Sequence, residues 1–194
     1  MLKVGITGSS SSGLAKSIIE KVEGDIKSNT CNCYSKTTGY NLDFIDLDKF
    51  VEEIKYLDVF INFYKGKNFF QSKLLYKLWR KWTIMKKNNN LIIVFGPSEV
   101  ENMIQESSTD ITNLNESRLT YYLDKVALKK LTVELQKRKG NHPKILYLQL
   151  GAINGVYTKD KIPEAHVADI VKVLFDQYYA SESIINSITL NPCI

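Results

Sequence analysis

The stretch LKVGITGSSSSGLA at residues 2–15 decides the fold. Its opening residues, 2–6, form a short, mainly apolar run that predicts a buried strand. Small residues follow from Thr7 to Gly13, and apolar residues at helical spacing over 14–22 predict a helix. A strand that turns through glycines into a helix is typical of the first unit of an α/β fold.

The loop inside this unit has the chemistry of an anion site. Gly8 and Gly13 permit a tight turn and a close backbone approach, and the start of the helix adds N–H groups with a partial positive charge. The serines at 9–12 add hydroxyl donors. The loop departs from Gly-x-Gly-x-x-Gly and lacks the Gly-Lys-Ser/Thr ending of a P-loop. A flexible serine-rich turn is the alternative interpretation.

Strands and helices alternate along the rest of the chain. Further strands are predicted at 31–34, 58–62, 91–95, 144–150 and 187–190, and further helices at 48–54, 69–82, 120–137 and 163–178. This alternation predicts right-handed crossovers and a doubly wound parallel sheet in an α/β protein. Residues 98–116 are ambiguous and are predicted to be a loop over the site. A single domain is expected to span 1–194.

Composition excludes several classes of protein. The chain has 194 residues, 44% of them apolar, as expected for a globular domain. Its net charge of +5 is spread out without a binding motif, so we expect no nucleic-acid partner. Three cysteines and two histidines predict no metal site, and the odd cysteine count suits a reducing compartment. Without a signal peptide or a membrane-length apolar run, the expected location is cytoplasmic, with no membrane partner.

Tyr121 and Lys125 stand four residues apart in the helical segment LTYYLDKVALKKL at 119–131. This spacing places a phenol and an ammonium on one helix face, one turn apart. A nearby cation favours the phenolate, so we expect the pKa of Tyr121 to lie below the usual value of about 10. The alternative is a surface pair that arose by chance.

Several motifs together carry a family resemblance. Thr7 and Gly8, followed by residues 13–15, resemble Thr-Gly-x-x-x-Gly-x-Gly with one extra serine and with alanine as the last residue. Asn62 follows a strand as in Asn-Asn-Ala-Gly, Tyr121 and Lys125 match Tyr-x-x-x-Lys, and residues 150–153 resemble Pro-Gly-x-Val/Ile. In order and spacing, the chain resembles a compact, divergent short-chain dehydrogenase/reductase with a Rossmann-like sheet. The resemblance covers nearly its whole length.

The resemblance implies a role for each matching residue. Tyr121 would be the acid/base toward a small-molecule carbonyl or alcohol substrate, and Lys125 would hold the nicotinamide ribose and lower the pKa of Tyr121. Asn62 would lie beside the adenosine ribose, Asp43 would meet the adenine amino group, and the backbone of Ile153 would contact the carboxamide. The diphosphate would be surrounded by Gly8, Ser9, Ser12, Gly13 and Leu14.

The family's catalytic serine is ambiguous in this sequence. Ser98 follows the predicted strand 91–95 and is favoured by its position, whereas Ser107 and Ser108 have the family's spacing to the tyrosine. The family's helix asparagine has no counterpart within 71–82. A water relay through that position would therefore be altered.

The loop after the second strand bears on the choice of cofactor. An NAD site needs a carboxylate there for the ribose hydroxyls, and residues 34–37 contain none. Lys36, with Ser35 and Thr37, can instead receive a 2′-phosphate, so NADP(H) is preferred and NAD(H) stays possible. A solvated Lys36 is the alternative.

The resemblance also implies an assembly and competing functions. A homo-oligomer, a dimer or tetramer, is expected. The wide apolar stripe formed by Leu74, Leu75, Leu78, Trp79 and Trp82 is mostly core, and its width hints that part of it packs against a second copy. A sugar-nucleotide epimerase or dehydratase is disfavoured because the C-terminal region is short. A catalytically degenerate NAD(P)-binding sensor or scaffold is the alternative function.

Overall fold

A six-stranded parallel sheet forms the centre of the protein. The computed structural model describes residues 2–8, 11, 13–24, 30–64, 67–97, 116–150, 153–154, 162–180 and 187–190. The strands of the sheet are β1 (Lys3–Thr7), β2 (Thr30–Tyr34), β3 (Val59–Asn62), β4 (Leu91–Pro97), β5 (Lys144–Leu150) and β8 (Ser187–Leu190). Their order is β2-β1-β3-β4-β5-β8. The predicted doubly wound parallel sheet is confirmed.

Helices cover both faces of this sheet. They are α1 (Gly13–Gly24), α2 (Leu47–Ile54), α3 (Phe70–Ile84), α4 (Glu116–Gln136) and α5 (Glu164–Ala180). Their bounds lie within four residues of the predicted ones. Two short strands that the sequence did not predict, β6 (Ile153–Asn154) and β7 (Ile162–Pro163), pair in parallel as a second small sheet. No helix within the described ranges is both long and apolar enough to cross a membrane.

The alternation of side chains along each strand divides the core into two layers. Val59 and Ile61 point into the layer that holds α1 and α5, whereas Phe60 between them points into the layer that holds α2, α3 and α4. Trp82 on α3 is fully buried in this second layer, and its indole N–H donates to the carbonyl of Lys55 at 2.9 Å. Burial on both faces explains why the central strands are almost continuously apolar.

The apolar stripe on α3 lies inside the subunit. Leu74, Leu75, Leu78 and Trp82 are fully buried, and Trp79 is 8% exposed. All five belong to the core layer that holds α2, α3 and α4. The hint that this stripe contacts a second copy is therefore wrong, because the chain's own core uses its full width. A homo-oligomer stays a prediction.

The strand order reverses between β1 and β3. The chain leaves β1 toward β2 on one side and later returns to β3 on the other. In such sheets, ligands bind in the crevice outside the carboxyl ends of the strands at this switch point. Thr7 closes the base of the crevice: its hydroxyl oxygen accepts the backbone N–H groups of Phe63 and Tyr64, both at 3.0 Å.

Gly96 provides a test of strand packing. A methyl group at Gly96 would lie 1.9 Å from the hydroxyl oxygen of Tyr147, on the adjacent strand β5. Since Tyr147 is 3% exposed in a packed layer, its ring has little room to move. We expect Gly96→Ala to lower the free energy of unfolding by about 1–3 kcal/mol in chemical denaturation.

Gly24→Ala is the matched control, because Gly24 ends α1 and no heavy atom lies within 4 Å of the position that an added methyl group would take. This substitution should leave stability unchanged or raise it by up to ~1 kcal/mol. Equal effects of the two substitutions would contradict the packing of Tyr147 against Gly96.

Candidate functional site

The loop after β1 requires glycine at its first position. Gly8 has φ +152°, and a Cβ there would lie 2.8 Å from the Cβ of Ala15 and 3.1 Å from the ring of Phe63. Ala15 thus takes the place of the family's last glycine at a close contact between strand and helix. Gly13 begins α1 with φ +73°, and Leu14 is buried, so the backbone lines this end of the crevice. Ser9 and Ser12 lie outside the described residues.

A cavity of about 250 Å³ opens at the carboxyl ends of β1 and β2. Five residues singled out from the sequence for cofactor binding line it, namely Gly8, Ser35, Lys36, Thr37 and Asp43. The structure adds further lining residues that the sequence did not single out for this role: Tyr40, Asn41, Leu42 and Tyr64. The cavity therefore combines a backbone approach at Gly8 with one cation, hydroxyl groups and aromatic rings.

Hydroxyl groups hold the turn that carries Lys36. The backbone N–H of Ser35 donates to the Thr38 hydroxyl at 2.9 Å, and that hydroxyl donates to the carbonyl of Cys33 at 2.8 Å. The Ser35 and Thr37 hydroxyls lie 2.8 Å apart. Lys36 is exposed at the turn, so its ammonium is available to a ligand in the cavity. No carboxylate occupies this turn, as the sequence indicated.

Carboxylates instead hold two tyrosines of the cavity. Burial, followed by a hydrogen bond to Asp43, raises the pKa of Tyr64 above its usual value. The Tyr40 hydroxyl donates to Glu53, and this bond is the main reason why the pKa of Tyr40 is raised. Both phenols are therefore neutral at physiological pH, and each donates to a carboxylate. The carboxylates of Asp43 and Glu53 therefore hold the two tyrosine rings of the cavity wall in place.

Tyr121 and Lys125 share one face of α4, as predicted. The Lys125 ammonium lies 5.5 Å from the centroid of the Tyr121 ring. Lys125 is only 4% exposed, and its ammonium donates to the side-chain oxygen of Gln71 and, at 3.3 Å, to the carbonyl of Phe95 near the end of β4. The pair therefore belongs to the carboxyl edge of the sheet.

The expected direction of the Tyr121 pKa is wrong. Burial raises this pKa above its usual value, and the negative charges of Tyr122 and Asp124 raise it further. The phenolate is disfavoured because its neighbourhood is largely desolvated. Tyr121 is therefore a neutral phenol, which can act as a proton donor.

Gln71, in the first turn of α3, connects this pair to the sheet. Its side-chain N–H₂ donates to the carbonyl of Asn62 at 2.8 Å, and the Asn62 side chain donates to the carbonyl of Gln71 at 2.9 Å. Asn62 is fully buried, so it braces α3, and its contact with a ribose stays a prediction. Sequence reasoning missed Gln71, although an amide on an otherwise apolar helix face was a usable signal.

Ser72 and Asp124 make a second polar contact between α3 and α4. The Ser72 hydroxyl donates to the Asp124 carboxylate at 2.8 Å, and both residues are buried. Three other proposed site residues cannot be placed in this geometry: Ser98, Ser107 and Ser108 lie outside the described residues. The backbone of Ile153 forms part of β6, directly after β5.

The strand order sets the distance between the two parts of the site, the cavity and the Tyr121–Lys125 pair. The cavity lies at β1 and β2, whereas Lys125 contacts β4, and the order β2-β1-β3-β4 places three strand spacings between β2 and β4. At about 4.8 Å per spacing this amounts to roughly 14 Å. A ligand that contacts both parts must therefore be elongated and lie across the strand ends.

Comparisons with known proteins establish the fold. No protein-family model and no curated protein sequence matches this chain. A solved structure of UDP-N-acetylglucosamine 4-epimerase from Bacillus cereus is similar, with a TM-score of 0.67, 14% identity, and coverage of 98% of this chain and 78% of the epimerase. A wide-type short-chain dehydrogenase/reductase from Veillonella parvula, in complex with NADP, has a TM-score of 0.58 at 12% identity. The match covers 98% of this chain and 94% of the Veillonella protein.

An NADH-dependent reductase in complex with NAD has a TM-score of 0.60 at 14% identity, covering 98% of this chain and 95% of the reductase. The chain thus has the Rossmann-like fold of these three structures. At such identities the similarity establishes the fold and leaves the reaction open.

Asp124 provides a test of the electrostatics around α4. Burial raises the pKa of Asp124 above 3.8, although the Ser72 hydrogen bond and Lys125 oppose this shift. As pH rises, the unfolded state therefore loses this proton first, and the contribution of Asp124 to stability falls as pH passes the folded-state pKa. Asn keeps the group neutral, so Asp124→Asn should gain stability relative to the wild type between about pH 4 and 7.

Chemical denaturation of both proteins across this pH range measures the effect. The Ser72→Ala variant is the comparison: it removes the hydrogen bond that opposes the shift, and should extend the pH-dependent loss of stability to higher pH. A stability difference between wild type and Asp124→Asn that does not change with pH would show that Asp124 is not desolvated as described.

Proposed function

We propose that this protein is an NADP-dependent oxidoreductase of the short-chain dehydrogenase/reductase type, which reduces a small carbonyl compound or oxidises an alcohol. One observation carries the proposal. The cavity lined by Gly8 and Lys36 and the Tyr121–Lys125 pair lie at the same carboxyl edge, separated by three strand spacings. An elongated dinucleotide is the class of ligand that fits both ends.

The donor groups of the cavity fit the adenosine half of NADP. Gly8 lines the cavity and has no side chain, so a diphosphate would approach its backbone there and meet the start of α1. Lys36, with the Ser35 and Thr37 hydroxyls, would bind the 2′-phosphate. Asp43, beside Tyr64, would accept a hydrogen bond from the adenine amino group.

The proton chemistry is assigned to Tyr121. When bound, the nicotinamide would supply or accept the hydride. Tyr121, a neutral phenol, would donate its proton to the substrate oxygen in reduction and recover it from solvent. Lys125 would stabilise the phenolate that remains, since its positive charge lies 5.5 Å from the ring. Ser98 would orient the substrate oxygen, and the backbone of Ile153 would contact the carboxamide.

A second candidate is an NADP(H)-binding protein without turnover. The raised pKa of Tyr121 favours it, because burial makes the phenolate harder to form than in an activated tyrosine. The epimerase among the similar structures adds a variant in which the same groups would act on a sugar nucleotide. Measurements of NADPH binding and of NADPH-dependent turnover distinguish the two candidates.

Lys36 tests the cofactor preference. We expect Lys36→Ala to raise the Kd for NADPH about tenfold, since a hydrogen bond to a charged group contributes ~1.5 kcal/mol or more. The Kd for NADH should not change, because NADH lacks the 2′-phosphate. Calorimetric titration measures both values, with Lys139→Ala, an exposed lysine after α4, as control. An equal weakening for both nucleotides would refute the preference.

Tyr121 tests the reaction. In NADPH oxidation against a panel of small carbonyl compounds, Tyr121→Phe should lower kcat/KM by about 10²–10⁴-fold and leave the Kd for NADPH unchanged. Tyr122→Phe is the matched control, because its ring packs edge-on against Tyr121 at 5.7 Å on the same helix. NADPH binding without turnover in the wild type would support the second candidate.

A further inference from the structure

Gln71 has an unusual position for an amide. It lies in the first turn of α3, is fully buried, and stands on the helix face that otherwise carries Leu74, Leu75 and Leu78. A buried amide without partners costs free energy, so a role in packing alone would favour an apolar residue. Both ends of its side chain are hydrogen-bonded.

The orientation of the Gln71 amide is determined by its partners. The carbonyl of Asn62 can only accept, so the N–H₂ end of Gln71 must point toward it, at 2.8 Å. The opposite end, the oxygen, then points to the ammonium of Lys125. The reciprocal bond from the Asn62 side chain to the carbonyl of Gln71 holds the start of α3 in the same place.

The neutral character of this acceptor has a consequence for Lys125. A carboxylate at position 71 could also accept from the ammonium, but it would cancel much of the positive charge and could not donate to the carbonyl of Asn62. The amide oxygen of Gln71 and the Phe95 carbonyl are neutral acceptors, so these two contacts add no negative charge beside the ammonium. Neither contact therefore weakens the field of Lys125 at the Tyr121 ring, 5.5 Å away.

We propose that Gln71 is a positioning residue, whose amide holds the Lys125 ammonium at the end of β4 and leaves its charge to act on Tyr121. This inference rests on the proposed function, because it assigns Gln71 to the proton chemistry of that site. Gln71 lies on the helix where the asparagine expected from the resemblance is missing, and its side chain contacts Lys125 directly.

The charged groups around Tyr121 define what a pH experiment can report. On α4 they are Tyr122, Asp124 and Lys125. From α3, Gln71 and Ser72 face this region without charge, while Lys73 acts on Asp124. Among the described residues, a new charge at position 71 would therefore act first on Lys125 and through it on Tyr121.

The pH profile of kcat/KM for NADPH-dependent carbonyl reduction tests the proposal. Gln71→Glu keeps an oxygen for Lys125 but adds a negative charge, so the limb assigned to Tyr121 should move to higher pH by about one unit. Gln71→Met keeps the volume and removes the acceptor, and should lower kcat at least about tenfold with little change in the KM for NADPH.

Ser72→Ala is the matched control for this pair of helices. It breaks the contact between α3 and Asp124 without touching Lys125. It should lower stability and leave the pH profile in place. If Ser72→Ala moved the profile as far as Gln71→Glu does, the effect would come from loosened helix packing and the positioning role would be refuted.

A double-mutant cycle checks the contact independently of activity. In chemical denaturation, the unfolding constants of Gln71→Met, Lys125→Met and the double variant should be non-additive by about tenfold. Additive effects would overturn the proposal, and Gln71→Glu provides a second partner for the cycle if Gln71→Met does not fold. Coupling without any NADPH-dependent turnover would refute the proposed function and leave the contact standing.

Discussion

The parallel pairing of β1 with β3 is the constraint on which the site depends. Val4, Gly5 and Ile6 pair with Val59, Phe60 and Ile61, so both strands end at the same edge of the sheet. Thr7 then binds the two backbone N–H groups that follow β3. Because β2 lies on the far side of β1, the chain separates here and leaves a crevice. The cavity at Lys36 and the contact of Lys125 with β4 lie on opposite sides of this point.

Burial is the main influence on the state of Tyr121. It raises the pKa of the phenol, and the negative charges of Tyr122 and Asp124 raise it further. The carbonyl of Phe95 and the amide of Gln71 keep the ammonium in place at the edge of the sheet. This arrangement suits a group that donates a proton during reduction, since a neutral phenol is ready to do so without prior protonation.

The similar structures show why the fold leaves the reaction open. They include an epimerase as well as reductases, with NADP in one complex and NAD in another. A shared sheet positions a dinucleotide at the switch point, but loops supply the groups that select a substrate. The features that distinguish this chain are local. They are an alanine packed on Gly8, a turn that carries Lys36 and no carboxylate, and a buried glutamine, Gln71, whose side chain contacts Lys125.

The sequence by itself determined the order of the helices and of the six strands in the central sheet, because periods of 2 and 3.6 and the glycines after β1 depend only on neighbours along the chain. It also placed Tyr121 and Lys125 on one face, since a helix fixes that spacing. Only the tertiary structure decided the pKa of Tyr121, the burial of the stripe on α3 and the contact of Gln71 with Lys125. The pKa and the burial depend on how the layers pack and exclude water. The contact joins residues more than fifty positions apart along the chain, and no local pattern predicts it.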